Sequence, residues 1–180
     1  MKTTRFVAVA ALALFALCAQ APAQENTAIA KEKIDAVDYL VGTWQCQHTV
    51  GDFKGKYKTT FTKTLGGVWL KQTYDFPPGQ ASEKTAAQTA EALMGYNDDK
   101  KAWVRFFANS LGQYFAIRMT ETDSGWSWKY VSFFATRLIP LDAAPDATLT
   151  KKSNREFVIE GPTYPKDGTQ VTEHHVCEKL

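Results

Sequence analysis

The chain has 180 residues, with 21 Lys and Arg against 19 Asp and Glu, a net charge of +2, and 13% aromatic residues. The length suits one domain, and a near-neutral charge with no basic face argues against nucleic acid and anionic membrane as partners. With only three cysteines, burial of apolar side chains must carry the fold, helped by at most one staple.

The N-terminal stretch reads as a leader. Lys2 and Arg5 precede an apolar run from Phe6 to Ala19, and Ala21-Pro22-Ala23 offers a small-x-small cleavage site. That is the pattern of a secretory signal peptide, too short and wrongly flanked to span a membrane as a helix. Leu17 is too large for the position before a lipid-anchored cysteine, so Cys18 does not read as a lipoprotein site. Cleavage after Ala23 is expected, giving a signal peptide over 1–23 and a single domain over 24–180. The mature chain then balances, at 21 − 2 = 19 basic residues against 19 acidic. The expectation is a periplasmic or secreted protein with no membrane insertion after cleavage.

Next comes "TAIAKEKIDAVDYLVG", which the spacing of Ile34, Val37 and Val41 predicts as one helix, with Gly42 as its stop. From Trp44 the hydrophobic period changes to two. Strands are predicted over 44–50, 56–64, 68–76, 90–96 and 102–110. Others come over 113–121, 126–134, 147–152, 155–160 and 169–178. Turns fall at "GDFKG", "LGG", "NDDKK", "LG", "TDSG" and "SN", with loops at "PPGQASEKTAAQT" and "GPTYPKDG". About ten short strands with short connections form an antiparallel meander. An open sheet of that size would twist and expose apolar faces, whereas closure removes both edges. The prediction is an all-β protein: a closed antiparallel up-and-down barrel with a short N-terminal helix plugging one end.

Three segments in order carry a resemblance: "LVGTW" at 40–44, "LGG" at 65–67 and "MGYNDDKKAW" at 94–103. Together they resemble the calycin barrels, the lipocalin superfamily, and more narrowly a bacterial group of lipocalin-like, nitrobindin-related proteins. The resemblance implies that Trp44 points into the barrel base. Nitrobindin-type proteins carry a Gly-x-Trp-x-Gly-x-Gly run, whereas here Gln45, Cys46, Gln47 and His48 come after the tryptophan. That departure weighs against haem binding of the nitrobindin kind.

The first and last strands contain a mirrored pattern, "CQH" at 46–48 and "HVC" at 175–177. In a closed meander of even strand number these two strands pair antiparallel. If Cys46 faces Cys177, then His48 faces His175 and Val50 faces Glu173. Residues two apart share a face, so both cysteines, both histidines and Glu173 project to one side, and His174 to the other. A disulfide between Cys46 and Cys177 is one outcome, closing a loop worth about 4–5 kcal/mol in the chain-entropy model. A Cys2His2 zinc site is a second. His48 and His175 read either as a hydrogen-bonded interior pair or as ligand contacts, with haem ligation by His175 a further alternative. Glu173 is placed to orient an imidazole, but no nucleophile stands beside them.

Trp126, Trp128 and Tyr130 alternate with Ser127 and Lys129, so they either fill the barrel or line an apolar cavity. Arg105 shares its phase with Trp103, Phe107 and Asn109, while Val104, Phe106 and Ala108 take the other face. Both faces are apolar, so Arg105 reads either as a surface cation, the commoner case, or as an inward guanidinium in need of an anion. Arg118 opposes Phe115, Ile117 and Met119 and reads as exposed. No phosphate-binding loop, nucleophile elbow, metalloprotease or dinucleotide motif is present. The function expected is a barrel that holds a small apolar or amphipathic molecule, without catalysis. The candidate contacts are His48, His175, Glu173, Trp128, Tyr130 and Arg105. The alternatives are a small enzyme using Glu173 and His175 as acid–base groups, and a solid structural protein of the envelope.

Overall fold

The computed structural model describes residues 21–81, 86–134, 147–163 and 170–180, with side chains described for all of these except 21–26 and 128–134. Most of the predicted signal peptide lies outside the described residues. A helix, α1 (Ala21–Asp35), and a 3-10 turn (Asp38–Leu40) lead into ten strands. These are β1 (Gly42–Val50), β2 (Phe53–Thr64), β3 (Trp69–Phe76), β4 (Gln88–Asn97) and β5 (Ala102–Asn109). They continue with β6 (Tyr114–Thr122), β7 (Gly125–Phe134), β8 (Ala147–Lys151), β9 (Glu156–Thr163) and β10 (Val171–Lys179). Each strand pairs antiparallel with the next, and β10 returns to β1, closing the barrel. Among the described residues no helix is long and apolar enough to cross a membrane.

The alternation read from the sequence sets the inside. Tyr57, Thr59 and Phe61 of β2 are all buried, as are Leu70, Gln72 and Tyr74 of β3. The lower half of the interior is solid: Trp44, Leu70, Trp103 and Phe157 are at most 1% exposed. Trp44 and Phe157 meet edge to face, with centroids 4.7 Å apart.

Two features at the N-terminal side differ from expectation. The helix ends at Asp35, and the chain tightens into the 3-10 turn, so Leu40 rather than Val41 completes the buried stripe with Ile34 and Val37. Trp44 explains this: its Nε1 donates to the Leu40 carbonyl at 2.7 Å, an end-of-helix acceptor that a continuing α-helix would have used itself. Gly42 therefore does not stop the helix. It starts β1 at φ +125°, where a side chain would crowd Lys179. The other differences are strand ends. "GDFKG" is a two-residue turn at 51–52, because Phe53–Gly55 pair with His48–Val50. The loop read at "GPTYPKDG" begins late, since Gly161–Thr163 still pair with β10.

The helix is tied across the barrel base by Lys33 to Glu121 at 3.0 Å and by Lys63 to Asp35 and to Asp38. Glu121 also accepts from Trp103 Nε1 at 2.6 Å, which links this surface ion pair to the core. The opposite end, which we call the mouth, carries the 51–52 turn and the chain from Pro77 to Ala81.

Candidate functional site

The seam between β1 and β10 has the expected register: Cys46 opposite Cys177, His48 opposite His175, Val50 opposite Glu173. Cys46 and Cys177 form a disulfide, with sulfurs 2.00 Å apart and fully buried. The zinc alternative is thereby corrected, because both sulfurs are bonded to each other and no thiolate pair remains to complete a Cys2His2 set.

Above the disulfide the two histidines part company. His48 is 4% exposed and its Nε2 lies 2.7 Å from the carbonyl oxygen of Gln80. A carbonyl only accepts, so Nε2 carries the hydrogen. Burial holds the His48 pKa below its ordinary value, partly opposed by the Gln80 carbonyl. Gly55, opposite His48, makes this contact fit: a Cβ there would lie 2.4 Å from His48 Nε2 and 2.3 Å from the Gln80 oxygen. Gln80 is held a second time, its Oε1 accepting from the Lys56 amide at 2.8 Å. His48 thus fastens the chain at the mouth to the barrel wall.

His175 projects inward, on the face it shares with Cys177. Its Nδ1 is 2.9 Å from the Tyr57 hydroxyl, and its Nε2 is 3.8 Å from Glu173 Oε2. Burial pushes the Tyr57 pKa well above the ordinary phenol value, so the hydroxyl keeps its proton and shares one hydrogen bond with Nδ1. Nε2, the other ring nitrogen, is the one turned toward the Glu173 carboxylate.

Arg105 resolves inward, which corrects the surface reading. Its Nη2 donates to Gln72 Oε1 at 3.2 Å and to the Tyr74 hydroxyl. The guanidinium lies 5.9 to 6.0 Å from the ring centroids of Tyr74, Phe107 and Phe115. Gln72 passes the chain on, its Nε2 donating to Thr59 Oγ1 at 3.0 Å, which donates to the Thr73 carbonyl at 2.8 Å. Among the described residues no carboxylate comes within ion-pair distance of Arg105. Arg118 points out, as expected.

Aromatic rings join the two polar groups. Phe76 stacks on Tyr57 at 4.5 Å and lies parallel to Tyr74 at 6.2 Å, and Phe107 stacks on Phe115 at 4.5 Å. Tyr57, which bonds His175, has its ring 5.9 Å from that of Tyr74, which bonds Arg105, so the two polar groups face the same part of the interior. Its lining is open to water although it faces inward. His175 and Glu173 side chains are 14% and 27% exposed, and Arg105, Phe107 and Phe115 are half-buried. Two buried donors, Gln88 Nε2 and Trp126 Nε1, have no acceptor among the described residues.

Trp126 is buried beside Trp103. The backbones of Trp128 and Tyr130 pair with Met119 and Ile117, but their side chains lie outside the described residues. A separate groove of about 780 Å³ crosses the outer wall between Thr60, Asp75, Glu91 and Ser110; it contains none of the residues singled out from the sequence. Sequence reasoning had not placed Tyr57, Tyr74, Gln72, Gly55 or Gln80 in the site. The signal for Tyr57 and Gly55 was the hairpin: a two-residue turn at 51–52 puts them opposite Cys46 and His48. Comparison with known proteins adds no relative, since no family model matches the chain and no curated protein aligns with it.

Proposed function

We propose that this protein is an exported binding barrel that holds one small apolar or amphipathic molecule in the mouth-side half of its interior. The observation that carries this reading is the contrast inside a single barrel. Inward-facing residues at the base are sealed, whereas Arg105, Phe107, Phe115, Glu173 and His175 face inward and keep contact with solvent. A lining of aromatic rings with a few convergent polar groups is what small-molecule pockets are made of. This counts against the solid envelope protein. Of the residues expected to contact ligand, Arg105, Glu173 and His175 fit best, whereas His48 is occupied by Gln80. The disulfide and the leader pattern of residues 1–23 support a periplasmic or secreted address. The closed ten-stranded barrel supports similarity to the nitrobindin-related, lipocalin-like group.

Titration with Nile red, a neutral apolar dye, tests the reading. Saturable fluorescence at one dye per chain is expected, and a non-saturating response overturns it. The Tyr57–His175–Glu173 line favours one second reading, an acid–base enzyme. That reading requires turnover that His175→Ala abolishes without lowering stability.

A further inference from the structure

We infer that the outer wall of the barrel binds a neutral glycan chain, in the groove that crosses β1 to β5 and against the aromatic rings beside it. The inference does not depend on what the barrel's interior holds.

One rung of outward side chains runs across six strands. Thr43, Thr60, Thr73, Glu91, Ala108 and Tyr114 stand opposite one another in turn, spaced by the strand separation of about 4.7–4.9 Å. The β1–β4 side of the rung is polar, and its β6 end is an aromatic ring. The Thr43 and Thr60 hydroxyls bond each other at 3.1 Å. Thr73 and Thr89 line the groove, and among the described residues their hydroxyls make no hydrogen bond. Charge along the groove is matched in sign: Lys58 stands opposite Asp75, and Glu91 is held by Lys71 at 2.7 Å. Ala108 carries the smallest side chain of the rung. It leaves room between Glu91 and the rings of Phe106 and Tyr114, each 50% exposed.

A pyranose unit has the same divided character. Its C–H faces stack on an aromatic ring, and its hydroxyls give and take hydrogen bonds at the edge. Threonine hydroxyls do both, and the Asp75 and Glu91 carboxylates accept. A rung repeated at the strand spacing meets successive units of a chain rather than one sugar. An apolar ligand would bury the Thr73 and Thr89 hydroxyls without partners, and a polyion of either sign finds no excess of opposite charge. A peptide adds to a sheet through a free edge, and the closed barrel offers none.

Amide NMR titration of the disulfide-intact protein with cellohexaose, N-acetylchitohexaose and the anionic hexagalacturonate tests this. Saturating shifts at Thr60, Thr73, Thr89, Ala108 and Tyr114 are expected with at least one neutral hexasaccharide, at lower concentration than with hexagalacturonate. Phe106→Ala and Tyr114→Ala should each weaken that binding about tenfold, as loss of an aromatic anchor does, and Thr73→Val should weaken it by a smaller factor. No saturable shift with either neutral hexasaccharide would overturn the inference while leaving the binding barrel standing. Shifts centred on His175 and Glu173, which put the sugar inside the barrel, or tighter binding of hexagalacturonate would overturn it too. The titration of the unaltered protein decides the matter even if a variant does not fold.

Discussion

Gly55 shows how one missing side chain places two others. Its inward position on β2 lies under the His48 ring and beside the Gln80 carbonyl. Gly55→Ala should force these apart and cost about 1–3 kcal/mol, as overpacking of a tight site does. Chemical denaturation checks this, and His48→Ala in the same chain should recover part of the loss but not all, because the Gln80 backbone stays in the way. His48 itself should make the fold sensitive to acid. Its folded pKa is held below the ordinary 6.5 by burial, so the unfolded chain takes the proton first. The stability from keeping His48 neutral is complete above that ordinary value. It is lost as pH falls below it, and the loss levels off under the folded pKa. The melting temperature should fall between pH 7.5 and 5, with a shallower slope in His48→Gln. At this scale the sequence was half legible. The mirrored Cys-x-His and His-x-Cys patterns gave the seam contacts residue by residue. Arg105 was not legible, because Phe106 on the outer wall is half exposed and makes both faces of β5 look alike.

Among the elements, the seam of β1 and β10 does the most to set the site. It joins chain segments far apart in sequence, and without it β10 would pair only with β9. The disulfide spans a separation of 131 residues, a loop for which chain entropy gives about 4–5 kcal/mol and removal of a native bridge typically costs about 2–5 kcal/mol. Cys177→Ser should lower the melting temperature, reductant should lower the wild type to a similar value, and the two effects should not add. A variant as stable as the wild type would show that strand pairing alone holds the seam. The strands were readable from period-two alternation because each has one face in the core. The helix end was not. Its last turn is set by a tertiary bond from Trp44 to the Leu40 carbonyl, which local periodicity does not contain. The five-residue reading of "GDFKG" hid the hairpin register, and with it Tyr57 as the partner of His175.

At the scale of the whole molecule, the barrel divides into a sealed base and an upper half whose inward side chains keep contact with solvent. The base is filled by Trp44, Leu70, Trp103 and Phe157 and capped by the helix, while the upper half has a cation on one wall and an imidazole–carboxylate pair on the other. The outer wall carries apolar residues of its own, Leu93, Phe106 and Tyr114, so binding of an apolar dye does not by itself locate the dye. A two-dimensional amide NMR titration with Nile red does. Saturating shifts are predicted at Arg105, Phe107, Phe115, Glu173 and His175, with Trp44, Leu70 and Phe157 unmoved. Shifts confined to Leu93, Phe106 and Tyr114, or shifts that never saturate, would contradict a ligand held inside the upper half of the barrel.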